Sequence, residues 1–315
     1  MSPAPSPIEA GTTETLARVR LIAFLALLLG AAAIAFAPIL VRLSDTSPTA
    51  SAFWRVALAA PVLWAWALAV ERRACGAGIA TRPGAATGRD ALPGMALAGL
   101  FFACDLGAWH VSIAWTSVAN ATLEANFAPI FVTLGAWLLW RQRPSAMFIV
   151  ALVVTIGGAV LLIGPNFNAG GRALQGDLLG ILTGMFYAGY MLSIKSVAGR
   201  IPTAHIMAIS TTVSALLLAP YAGLTAEHFL PQAASGWTGW LVLAALAIVP
   251  HIAGQSLIAF GFAHLPASLS SVSLLLQAVL AALYAWVLLG EAMQPVQMAG
   301  GLIVLAGIYI ARRAS

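Results

Sequence analysis

A segment of about 150 residues occurs twice in this chain, and each copy carries an odd number of apolar helices. Ser47-Pro48-Thr49-Ala50 recurs as Ile201-Pro202-Thr203-Ala204. Thr155-Ile156-Gly157-Gly158, near the end of one apolar helix, recurs as Leu305-Ala306-Gly307 at nearly the same offset. Each copy reads as five membrane-spanning helices, so the second enters the bilayer upside down relative to the first. Inverted halves of this kind rock about a shared central site in secondary transporters.

Hydrophobic residues make up 61% of the chain, charged residues 8%, and mean hydropathy is +0.94. A water-soluble fold with that balance would carry large exposed apolar patches, so the fold class is all-α integral membrane. About 20 apolar residues cross about 30 Å of hydrocarbon. The chain therefore supplies ten transmembrane helices, near 21–43, 47–70, 92–115, 118–140, 145–164, 177–198, 203–222, 237–262, 267–289 and 295–311. They divide into a first five-helix repeat over 21–164, an external linker over 165–176 and a second, inverted repeat over 177–311. Residues 1–20, with Pro3, Pro5 and Pro7, read as a disordered cytoplasmic tail. The first apolar run exceeds the roughly 7–15 residues of a signal-peptide core, so it is expected to remain in the mature protein.

The isoelectric point is 9.8 and the formal net charge +5, values a nucleic-acid binder would share, but the placement of the cations argues otherwise. Arg18, Arg20, Arg72, Arg73, Arg82, Arg89, Arg141, Arg143, Lys195, Arg200, Arg312 and Arg313 fall on one side of the ten-span arrangement. Only Arg42 and Arg172 fall on the other. This is the positive-inside pattern, so both termini are expected in the cytoplasm and the protein in the inner (plasma) membrane. No basic face with interleaved aromatic residues exists, so no nucleic-acid partner is expected. Cys75, in the 71–90 loop, and Cys104, inside the third span, are too differently placed for a disulfide.

Three stretches carry a likeness to a known family. Each repeat ends in a proline or small-residue helix, a polar turn and a glycine-ending helix. These are Ala128-Pro129-Ile130-Phe131 through Gln142-Arg143 to Gly158, and Ala278-Val279 through Gly290-Glu291 to Gly307. The second span carries Phe53-Trp54-Arg55 near its outer end, and the sixth begins Gly176-Asp177-Leu178-Leu179-Gly180 and runs to Phe186-Tyr187-Ala188. In these features the chain resembles the paired EamA repeats of the drug/metabolite transporter superfamily over nearly all of residues 21–311. The resemblance implies ten helices, cytoplasmic termini and transport of small organic solutes, commonly export of amino acids or related metabolites. The Gly-Glu-Arg turn usual in that family survives only as Gly290-Glu291, so the turn holds no indispensable chemistry.

Arg55, Asp105 and Glu124 are the acids and bases that fall well inside spans, all in the first repeat. Such groups are costly in lipid and face a partner or a wet cavity. At about 1.5 Å per residue they lie at similar depths, roughly 9–15 Å below the outer ends of their helices. Arg55 can balance one acid in a structural ion pair, for which Asp105 is the favoured partner. The other acid, Glu124, is then left for a solute amine or a proton.

Helical spacing arranges further polar groups into stripes. Asn120 and Glu124 share a face of span four; Asp105 and Trp109 share one on span three. Ser273, Gln277 and Tyr284 line up on span nine, and His251 and Gln255 on span eight beside Pro250. Span six offers Thr183, Tyr187 and Tyr190. Such groups also join helices without touching a solute, but Glu124 and Gln277 occupy nearly equivalent places in the two repeats. Substrate contacts are therefore expected from Glu124, Gln277, Trp109, Tyr187, Ser273, Asn120, His251 and Gln255. Gly157, Gly158, Gly300, Gly301 and Gly307 mark spans five and ten as close-packed scaffold or dimer face.

The expected function is a secondary transporter exporting small metabolites, amino acids or related amphipathic solutes, by alternating access. The alternatives are uptake by the same fold, a channel, or an intramembrane enzyme using Asp105 and Glu124. No Walker A run, His-Glu-x-x-His pair or Gly-x-Ser-x-Gly elbow occurs. No catalytic residue, metal or cofactor is expected, and the protein is expected as a monomer or weak homodimer in the lipid bilayer.

Overall fold

The computed structural model describes residues 7–76, 89–115, 125–163, 172–232, 236–290 and 294–314. These are nearly all helical and contain no strand. Helices α1 (Pro7–Ile34) and α2 (Ala37–Leu43) form the first span, and α3 (Pro48–Gly76) and α4 (Leu92–Trp115) the second and third. The described part of the fourth is α5 (Ala128–Trp140), and α6 (Ala146–Ile163) is the fifth. In the second half α7 (Arg172–Val197) and α8 (Thr203–Thr225) come first. The eighth span joins α9 (Trp237–Leu246), a π-helical stretch over Ala247–Gln255, and α10 (Ser256–His264). The ninth joins α11 (Ala267–Ser273) to α12 (Leu276–Leu289), and α13 (Pro295–Ala314) is last. Eight of the spans are long and apolar enough to cross a membrane, and Ala128–Trp140 and Ala146–Leu162 are shorter apolar helices.

Two boundaries differ from expectation. Residues 7–20, expected as a disordered tail, continue α1, with Pro7 at a helix start where its missing N–H costs nothing. Extending an existing helix is far cheaper than nucleating one. Residues 172–176, expected in the linker, form the first turns of α7, held to α4 where Ser112 Oγ donates to Gly176 O at 2.8 Å. Cys75 likewise belongs to the last turn of α3 rather than to a loop, and no disulfide joins it to Cys104.

Helix packing repeats itself between the halves. α3 packs on α8 and α6 on α13; α4 packs on α7 and α8, as the eighth span packs on α1 and α3. The core splits into two clusters. One joins α1, α3, α4, α7, α8 and the eighth span around Leu27, Leu63, Phe102, Met207 and Phe262. The other joins α6 and α13 to the ninth span around Phe148, Leu162, Val272 and Val304. Glycine allows the α6/α13 crossing: a Cβ on Gly158 would lie 2.8 Å from Gly300 O, and one on Gly300 2.5 Å from Leu162 N.

Candidate functional site

Four spans carry a break in their regular α-helix among the described residues. α1 stops at Ala35–Phe36 before Pro38, and α5 starts after a turn at Asn126–Phe127, just ahead of Pro129. The ninth span turns at Leu274–Leu275, and the eighth widens to π-helix around Pro250. Proline supplies no N–H to the helix ladder, which accounts for three of the four. Pro61 and Pro220, by contrast, sit inside the unbroken helices α3 and α8. Irregular backbone at membrane depth is tolerated where it lines a cavity. Here residues from all four interrupted spans meet around one.

The cavity has a volume of about 90 Å³, room for a handful of waters at about 10–15 Å³ each. Ile34, Ala35, Ala37 and Pro38 line it from the first span, and Arg55 from α3. Phe102, Asp105, Leu106 and Trp109 come from α4, Ala125 and Asn126 from the fourth span, Thr183 and Tyr187 from α7, Gln255 from the eighth, and Gln277 and Ala281 from α12. Beside it Phe36 stacks on Tyr284, ring centroids 4.2 Å apart, joining the break in the first span to α12.

Arg55 is 3% and Asp105 7% exposed, yet the two do not form the expected ion pair. Among the described residues no carboxylate oxygen comes within 4.0 Å of the Arg55 guanidinium. Its Cζ stands 5.9 Å from the centroid of the Phe102 ring, and its Nε has no hydrogen-bond partner. Tyr187 OH and Gln255 Oε1, on two other residues of the same wall, also lack partners. A buried polar atom left unpaired costs roughly 1–3 kcal/mol. Three on one cavity wall mark where a solute's polar groups can be received.

The remaining expected residues divide. Trp109, Tyr187, Gln255 and Gln277 line the cavity, but Ser273 and His251 do not. Ser273 is fully buried and its Oγ donates to Leu269 O at 2.8 Å within its own helix, because the turn at Leu274–Leu275 breaks the helical phase linking it to Gln277. His251 lies one layer behind, its Nε2 sharing a 2.9 Å hydrogen bond with Thr211 Oγ1 and its ring 5.3 Å from that of Phe102. Asn120 and Glu124 lie outside the described residues. Asn126, not anticipated, is 4% exposed and lines the wall. Its signal is its place just before Ala128-Pro129, where the proline forces the interruption.

Known proteins share this architecture. The model of the EamA-like transporter family matches residues 21–164 and again 174–313. The pseudopaline exporter CntI of Pseudomonas aeruginosa (strain UCBPP-PA14) is 27% identical over 231 residues, 73% of this chain and 78% of that protein. The uncharacterized transporter YwfM of Bacillus subtilis (strain 168) is 26% identical over 222 residues, 70% and 73% of the two chains. A solved crystal structure, 20% identical, superposes with a TM-score of 0.73 over 94% of this chain and 97% of its own, which establishes likeness of fold.

Proposed function

Because the chain belongs to the EamA-like transporter family, we propose that this multi-pass membrane transporter is a secondary exporter of small, amino-acid-like zwitterions from the cytoplasm by alternating access. The observation that carries the reading is a guanidinium and a carboxyl group buried on one cavity wall that do not meet at contact distance. A solute carboxylate meets the Arg55 fork, for which the guanidinium's planar donors are suited. The solute amine meets Asp105, the carboxyl group that lines the described wall. Gln277, Asn126, Tyr187 and Gln255 supply neutral hydrogen bonds, and Trp109 and Phe102 the apolar walls. Both termini lie in the cytoplasm, and the exporter among the relatives supports the outward direction.

The cavity is small for such a solute, so binding has to coincide with movement of the interrupted helices. The test is counterflow in proteoliposomes loaded with an amino-acid mixture. A zwitterion should exchange, while its decarboxylated amine and its deaminated acid should each exchange at least about tenfold more slowly, the loss expected for a missing charged hydrogen bond. Equal exchange of all three would remove the zwitterion reading. Efflux from cells overexpressing the protein, compared with Arg55→Gln, tests the direction.

A further inference from the structure

A second, much larger concavity lies on the opposite face of α4. Its volume is about 720 Å³, against about 90 Å³ for the central cavity. α7 and α8, joined by a short connection at Ala198–Pro202, both pack on α4, and the groove runs between them with α4 as its floor. Small side chains, Ala103, Cys104 and Gly107, make that floor, and Leu182, Phe186 and Leu217 make the walls. Gly107 keeps the floor low: the nearest atom to a Cβ placed there is the Tyr221 ring, 3.6 Å away.

One end has different chemistry. Trp115 and Gln175 close the groove at the ends of α4 and α7, and the Arg172 guanidinium lies over the Trp115 ring, Cζ 5.6 Å from its centroid. Among the described residues no carboxylate comes within 4.0 Å of Arg172. Tryptophan and arginine at a helix end belong to the headgroup level of a bilayer. From Trp115 to Leu100 the floor runs fifteen residues, roughly 22 Å of helix, longer than the roughly 15 Å of hydrocarbon in one leaflet. A cation at the interface above a deep apolar slot is complementary to one molecule, a lipid with an anionic head and a long tail.

We propose that this groove is a phospholipid site: one acyl chain of an anionic phospholipid fills it between α7 and α8, and the phosphate sits on Arg172 beside Trp115. The site stands apart from the central cavity, since α4 presents Phe102, Asp105 and Trp109 to one side and Ala103, Cys104 and Gly107 to the other. The lipid wedges apart two helices of the second half, so it holds the arrangement in which both rest on α4.

The full chain, purified in non-ionic detergent, tests this with palmitoyl-oleoyl phosphatidylglycerol. A saturable rise in Tm is expected, with a smaller rise for the phosphatidylcholine of the same chains. Arg172→Gln should raise the half-saturating phosphatidylglycerol concentration about two- to fivefold, as for an exposed charged contact. Gly107→Leu fills the slot and should abolish the response. A phosphatidylglycerol carrying a diazirine in its acyl chain should label peptides within residues 100–115, 175–186 and 217–221 of the unaltered protein, which decides the location whatever the folding of Gly107→Leu. Label spread evenly over the apolar surface with no saturable shift overturns the site. An unchanged response in both variants does so too, and equal responses to the two lipids overturn the anionic headgroup.

Discussion

Two of the places where the halves of the molecule meet, the α6/α13 crossing and the central cavity, differ in kind: the halves bring matching chemistry to the first and not to the second. At the α6/α13 crossing each half offers a glycine to the other, Gly158 against Gly300, and the backbones touch. Around the cavity the first half supplies Arg55 and Asp105 while the second supplies Thr183, Tyr187, Gln255 and Gln277, with no charge. The register set by Ser47-Pro48-Thr49-Ala50 and Ile201-Pro202-Thr203-Ala204 puts Ile209, packed against the apolar core, at the place equivalent to Arg55. Packing therefore keeps the pseudo-two-fold and the site abandons it. On the proposed reading a bound zwitterion has one preferred orientation, because among the described lining residues only the first half offers ionisable groups to its charged ends.

The largest effect should come from breaking the matched region. Gly300→Val places a branched side chain where a single Cβ would already lie 2.5 Å from Leu162 N and 2.7 Å from Gly158 O. Backbone cannot step aside as a flexible side chain can, so the cost should be at least about 3 kcal/mol. Fluorescence-detected size exclusion should find little folded protein; wild-type yield would mean that the crossing is looser than the geometry describes.

Breaking the unmatched region should spare the fold more than the activity. Arg55→Gln is expected to slow zwitterion counterflow about 100-fold, with Arg55→Lys intermediate because it keeps the charge and loses the fork. Where Arg55→Gln lowers folded yield by leaving Asp105 alone in the cavity, the double variant with Asp105→Asn should recover yield without recovering transport. Recovery of both would make the two charges structural. A neutral contact from the second half should matter less: Gln277→Ala should reduce exchange by about 2- to 12-fold at unchanged yield, the equivalent of about 0.5–1.5 kcal/mol. A loss equal to that of Arg55→Gln would cancel the asymmetry between the halves.

The smallest effect sharpens the first comparison. Gly157 adjoins Gly158, yet a Cβ on it meets nothing within 4 Å. Gly157→Ala should leave Tm unchanged or raise it slightly, since alanine is the better helix former by roughly 0.5–1 kcal/mol. A fall in Tm resembling that of a Gly158 variant would show that the face toward lipid is packed.

Not every site residue was legible from spacing. Gln277, Gln255, Trp109 and Tyr187 reach the cavity as helical periodicity predicts. Ser273 fails because the rule linking i to i+4 holds only along an unbroken helix, and the Leu274–Leu275 turn intervenes. His251 and Gln255 are also four apart, but π-helical winding separates them, Gln255 to the wall and His251 to Thr211 behind it. Asn126 escaped notice for the converse reason, since a polar residue beside a proline turn has no helical face from which to be read.

Hydropathy, helix length and the distribution of Arg and Lys are local or additive properties, so the amino-acid sequence alone determined the spans, the duplicated organisation and the expected topology. The glycines that bring α6 and α13 together could also be picked out there, although nothing in the sequence distinguishes Gly158, which touches its partner, from Gly157, which does not. Only the tertiary structure decided which polar atoms share a cavity, that Arg55 and Asp105 face it without touching, and that a wide apolar groove opens behind them. Those outcomes depend on where helices break and how far each break rotates the next stretch of helix. Rotation about a helix axis leaves the composition of a span unchanged while changing every neighbour its side chains meet.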